Sequence, residues 1–123
     1  MNFMTDRKRA QGLGAGSEGT QHHWKMMVTS ICLVVLVPLF VFTFGSALGG
    51  TREEVLAFFA RPFPALITAI GLVVGLYHIK MEIDEAVEDY VHGIACKLTL
   101  IAVKAVTYTL MAVGLFALLK LAL

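Results

Sequence analysis

Apolar residues in this chain gather into three long blocks divided by short polar stretches. The first runs from Met26 to Leu48 and is interrupted strongly only at Pro38. The second runs from Phe63 to Ile79 and opens on Arg61-Pro62-Phe63-Pro64. The third runs from Ile94 to Leu123 and carries Lys104 and Lys120 as its charges. Each reaches the roughly 17–25 residues that a helix needs to cross the hydrocarbon of a bilayer. Proline suits the first turn of a helix, and membrane helices tolerate it further in. The pattern predicts an all-α membrane protein with three transmembrane helices. Its expected segments are an N-terminal segment at 1–24, spans at 25–48, 62–90 and 97–123, a loop at 49–61 and a connection at 91–96.

Composition narrows the class. Hydrophobic residues make up 58% of the chain and its mean hydropathy is +0.78, while ten Lys and Arg nearly balance nine Asp and Glu. Disorder requires low hydrophobicity and high net charge, and a nucleic-acid binder requires a basic excess; neither holds. A water-soluble domain of this size buries only a modest fraction of its surface, so lipid is the expected solvent. Met1 to Gln21 is polar and glycine-rich, and no secretory signal is expected there. The two cysteines, Cys32 and Cys96, form no disulfide framework and are expected to be small buried hydrophobes.

The flanking basic residues set an expected orientation. Arg7, Lys8, Arg9, Lys25, Lys80 and Lys97 place six on one side, and Arg52, Arg61 and Lys120 place three on the other. Basic residues favour the cytoplasm, so the N-terminus is expected there and the C-terminus in the periplasm. Lys104 is expected to snorkel toward the cytoplasmic interface. Three helices enclose little by themselves, and membrane helices associate through small residues and polar contacts. Gly71 and Gly75 supply a small-xxx-small pair, so a partner chain is expected.

The second block departs from a plain anchor. His78 lies 16 residues beyond Pro62, and at ~1.5 Å per residue it falls well inside the bilayer. An ionisable group at such depth is costly and marks a functional site by default. At ~100° per residue, Gly71, Gly75, His78, Glu82, Glu85 and Asp89 share one stripe, with Tyr90 beside it. Two glycines beside an imidazole leave room for a flat apolar ring with an axial nitrogen, which is the geometry of a b-type heme. The spacing leaves two alternatives open: a histidine that hydrogen-bonds a neighbouring helix, and a divalent ion held by His78, Glu82 and Glu85. The acids Glu82, Asp84, Glu85, Glu88 and Asp89 read mostly as a solvated helix end or a docking surface for a soluble partner. Tyr90 at the membrane boundary can donate a hydrogen bond, and Asp89 can pass a proton; an interfacial tyrosine belt is the plainer reading.

His78, ten residues, then Asp89-Tyr90-Val91-His92-Gly93 resembles the second transmembrane segment of the smaller membrane-anchor subunits of succinate dehydrogenase, the small cytochrome b chains of complex II. His23-Trp24 followed by an apolar run to Pro38 resembles the opening of the same chains, and Arg7-Lys8-Arg9-Ala10-Gln11-Gly12-Leu13-Gly14 resembles their alphaproteobacterial form. The likeness covers roughly residues 20 to 110, and the third span matches mainly in apolar character. The family implies a heteromeric helical bundle in the bacterial inner membrane with a second hydrophobic cytochrome b anchor subunit. The two anchors share one heme b and hold the flavoprotein and iron–sulfur subunits on the membrane.

By position, the resemblance makes His78 the axial heme ligand. Tyr90 becomes the hydrogen-bond donor to a ubiquinone carbonyl, with Asp89 supporting protonation there. His23, Trp24 and Lys25 fall at the rim of the quinone and propionate region. Many members carry an arginine one turn into the first span, whereas this chain reads Lys25-Met26-Met27-Val28; a lysine lacks the guanidinium fork for bidentate contact. With only two cysteines, the chain has no iron–sulfur array of its own. It is expected to form part of a succinate:quinone oxidoreductase site without autonomous activity. Two other classes share some of these features: an anchor of a quinol:fumarate reductase, and a heme-free membrane scaffold using Glu82, Glu85 and Asp89 as a proton relay.

Overall fold

The computed structural model describes residues 5–11 and 16–123. Residues 12–15, which include the end of the Arg7 to Gly14 stretch, lie outside the described residues. Five helices follow one another among those described: α1 (Asp6–Gln11), α2 (Gly16–Ala47), α3 (Arg52–Phe59), α4 (Pro62–Tyr90) and α5 (Gly93–Ala122). Residues 14–19 spell a G-x-G-x-x-G spacing, but no strand occurs among the described residues, so the βαβ context of a dinucleotide fingerprint is lacking. Three of the helices are long and apolar enough to cross a membrane, over Thr20–Ala47, Pro62–Tyr90 and Gly93–Ala122.

Each boundary has a local cause. α2 runs unbroken through Pro38 and ends in a turn where Gly49 takes φ +83°, a conformation that costs a residue without Cβ little. α3 occupies most of the expected 49–61 loop. Its N-terminus carries a full capping box, in which the Thr51 hydroxyl accepts from the Glu54 N–H and the Glu54 carboxylate accepts from the Thr51 N–H. Two orphan donors are satisfied in this way. Proline fills the first turn of α4. Only Val91 and His92 separate α4 from α5, and the reversal is completed by Gly93 at φ +69°.

α4 is the central helix: it packs against α2 and against α5, and α3 lies across the end formed by the α2–α4 connection. The covered positions of α2 are His22, Met26, Thr29, Leu33, Leu36, Phe40, Thr43 and Ala47, of which Thr43 is buried and the others partly covered. Their steps alternate between four and three, the 3.5-residue repeat of helices crossing at a shallow left-handed angle. On the other side of α4, Gly114 of α5 admits the Leu72 side chain so closely that a β-carbon there would overlap it. Small residues at lipid-embedded seams allow this approach.

Very little is fully enclosed. Phe59, Pro64, Met81 and Met111 are the buried apolar side chains among the described residues, while residues such as Val34, Phe42, Ile94 and Phe116 stand exposed. Exposure on this scale fits hydrocarbon or a partner chain rather than water. The same reasoning corrects the expectation for the cysteines: Cys32 is exposed and Cys96 only partly covered. An apolar thiol gains nothing from burial when the surroundings are themselves apolar.

Candidate functional site

The seam between α2 and α4 carries the polar groups. The helices run antiparallel, so the start of α2 lies beside the end of α4, and the register brings three levels together. At the outer level, His22 Nε2 stands 2.9 Å from Glu85 Oε1. One step inward, His78 Nδ1 lies 2.8 Å from the Thr29 hydroxyl, and its Nε2 lies 3.1 Å from Glu82 Oε1. Deeper still, an apolar cavity of about 240 Å³ is lined by Leu33, Leu36, Val37, Phe40, Thr68, Gly71, Leu72 and Gly75. The predicted stripe of α4 thus faces α2 at Gly71, Gly75, His78 and Glu85.

The His78 side chain is only 14% exposed, while Glu82 reaches out toward the surface. Thr29 has one proton and three neighbours. Its hydroxyl is within reach of the carbonyls of Lys25 at 2.9 Å and Met26 at 3.0 Å, besides the imidazole. Back-bonding of this kind is the usual way a threonine is satisfied inside an apolar helix.

The glycines leave space as expected, with one difference of placement. A β-carbon on Gly75 would meet nothing within 4 Å, and one on Gly71 would rest 3.6 Å from the Phe40 ring. His78 does not line the resulting cavity; its Nε2 is turned one helical turn away, to Glu82. The divalent-ion reading finds no support in the geometry. Glu85 is engaged by His22 instead, and no group of three His, Cys, Asp or Glu side chains converges among the described residues.

An imidazole at depth, with a ring nitrogen held by a hydroxyl on the facing helix and an apolar hollow one turn away, suits a flat hydrophobic ring with a nitrogen axial ligand. The cavity opens on the surface of the seam.

Asp89 and Tyr90 end α4 and stand exposed, Tyr90 at 85%. A hollow of about 460 Å³ at the same end is lined by Glu88, Val91, His92, Gly93, Ile94, Cys96 and Lys97, and neither Asp89 nor Tyr90 borders it. His23, Trp24 and Lys25 are exposed at the start of the α2 span; the register brings His22 rather than His23 to α4. Asp84 departs from the solvated-acid expectation. Its side chain is 16% exposed and bonded at 2.7 Å to Lys80, itself 14% exposed. The other carboxylate oxygen of Asp84 is buried with no hydrogen-bond partner.

Thr29, His22 and the Lys80–Asp84 pair are the residues that reading along the chain did not single out. No signal along the chain sets His22 and Thr29 apart: they are seven residues apart on one face of α2, but so are His23 and Ser30.

Fold and site together define a three-span helical membrane subunit with an imidazole held inside its central helix pair. A family model described as succinate dehydrogenase/fumarate reductase transmembrane subunit matches residues 1–119, and the chain belongs to that family. It is 41% identical over 123 residues to the succinate dehydrogenase hydrophobic membrane anchor subunit of Paracoccus denitrificans, covering 100% of this chain and 95% of that protein. No solved structure matches the chain.

Proposed function

We propose that this chain is the membrane-anchor subunit of a succinate:ubiquinone oxidoreductase, with His78 as one axial ligand of a heme b shared with a second anchor subunit. The reading rests on one observation above all: His78 is 14% exposed on a membrane helix and hydrogen-bonded from the facing helix. The cost of placing an imidazole there argues for a task. Family membership and the full-length relative support the enzyme complex to which the subunit belongs. When bound, the heme supplies a one-electron carrier within the membrane.

The chain's own residues have distinct tasks. His78 would hold the heme iron through Nε2, the nitrogen that stands 3.1 Å from Glu82. Gly71 and Gly75 keep side chains out of the space beside it. Tyr90, at the membrane boundary, donates a hydrogen bond to a ubiquinone carbonyl, and Asp89 delivers a proton to the same place. Two electrons and two protons convert the quinone to the quinol. The electrons come from the iron–sulfur subunit, which docks with the flavoprotein subunit on the cytoplasmic face, where the acids at the end of α4 stand. The excess of basic residues puts the N-terminus and the α4–α5 connection on that face and the C-terminus in the periplasm.

The test is a pair of substitutions in the assembled complex. His78→Ala is expected to remove or weaken the b-type absorption of purified membranes, and full heme content would overturn the ligand assignment. Tyr90→Phe is expected to depress succinate-driven quinone reduction while leaving succinate oxidation by an artificial dye intact. Normal quinone turnover would remove Tyr90 from the site.

A further inference from the structure

The contacts of Thr29 reach beyond packing, and their reading rests on His78 being a heme ligand. A hydroxyl holds one proton and two lone pairs. Thr29 Oγ1 lies 2.8 Å from His78 Nδ1, 2.9 Å from the Lys25 carbonyl and 3.0 Å from the Met26 carbonyl. Two proton arrangements satisfy this set. In one, Thr29 donates to Nδ1, and the ring proton sits on Nε2 and is given to Glu82, 3.1 Å away. In the other, Thr29 donates to a backbone carbonyl and accepts from an Nδ1 proton, so Nε2 carries a lone pair.

Only the second arrangement can bind a metal through Nε2, because the protonated nitrogen of an imidazole has no lone pair to give. Passing from the first to the second requires Nε2 to lose its proton and Nδ1 to gain one as the Thr29 hydroxyl turns to a carbonyl. The Nε2 lone pair then faces the Glu82 carboxylate, a contact between two acceptors that favours release of Glu82. We propose that Thr29 is the positioning residue of the axial imidazole. It accepts the Nδ1 proton while handing its own to the Lys25 carbonyl, which frees Nε2 to exchange the Glu82 carboxylate for iron. The same bond fixes the ring plane, since Thr29 sits on α2 and His78 on α4. A donor hydrogen bond from the far nitrogen also makes an imidazole a more basic ligand, and loss of such a partner typically lowers metal affinity ~10–100-fold.

The experiment uses the whole complex in its membrane, with Thr29→Val, Thr29→Ser and His78→Ala compared. Thr29→Val is expected to weaken heme retention by ~10–100-fold against apomyoglobin as a heme acceptor. It should also raise the heme midpoint potential, because a poorer donor favours the ferrous iron. Thr29→Ser keeps the hydroxyl and is expected to restore both. If valine prevents assembly, Thr29→Ala gives the same two readouts with less crowding. A potential and heme retention equal to the parent in Thr29→Val or Thr29→Ala overturn the proposal, as does a failure of serine to rescue. His78→Ala separates the two claims. Loss of heme there with a normal valine variant sinks only the role of Thr29, whereas heme retained in His78→Ala sinks the ligand assignment itself.

Discussion

Replacing Lys80 by methionine strips the cation from a pair whose Nζ and Oδ2 stand 2.7 Å apart. At that separation and an effective dielectric of about 20, the two charges attract by roughly 6 kcal/mol. Desolvation of both ends cancels most of this, so the net worth of the intact pair is small. The single deletion is different in kind. It leaves a carboxylate that is 16% exposed, with Oδ1 already lacking a partner and Oδ2 losing its own. Removing one member of a buried pair costs about 3–5 kcal/mol, and the remaining solvent access places Lys80→Met near the lower end. Removing both, as Lys80→Met with Asp84→Leu, is expected to return stability to within about 1 kcal/mol of the parent. Thermal unfolding of the detergent-solubilised complex reads this out, the single variant falling by about 10 °C and the double variant recovering most of that. A single variant as stable as the parent would mean that the carboxylate is not desolvated. A double variant as unstable as the single would mean that the two residues do not act on each other, and either result refutes the argument.

Two further substitutions probe the seams of α4. Gly75→Leu projects into space where a β-carbon meets nothing within 4 Å. It is expected to leave assembly intact while lowering heme content measured by the pyridine hemochrome spectrum; an unchanged spectrum would separate the cavity from the heme. Gly114→Ile drives a branched side chain against Leu72 and is expected to destabilise the α4–α5 pair by about 1–3 kcal/mol. Gly114→Ala should cost less, because the methyl that it meets ends a side chain able to rotate away. Equal melting points for the isoleucine variant and the parent would contradict the close approach.

The three spans, and the placing of His78 well inside the second of them, were legible from the residues alone. Hydropathy and length are local properties, and a bilayer imposes a fixed minimum on both. The Pro62 start of α4 was legible from its proline turn; its Tyr90 end was not marked by the change to polar residues, which begins at Lys80 inside the helix. The stripe that joins Gly71, Gly75, His78 and Glu85 followed from helical spacing. What it faces did not. In a soluble helix the apolar face points to the core, but the span of α2 is apolar nearly all round, so nothing along the chain marks His22, Thr29 and Phe40 as the side turned to α4. That choice was made by the antiparallel register, which sets Thr29 against His78 and Phe40 against Gly71. The same holds for Asp84: an acid at a helix end reads as solvated until a neighbouring helix covers it. For Cys32 the error ran the other way, because in hydrocarbon an apolar side chain has no reason to be inside. Lipid removes the solvent contrast that lets a sequence declare its inward face, and only packing restores it.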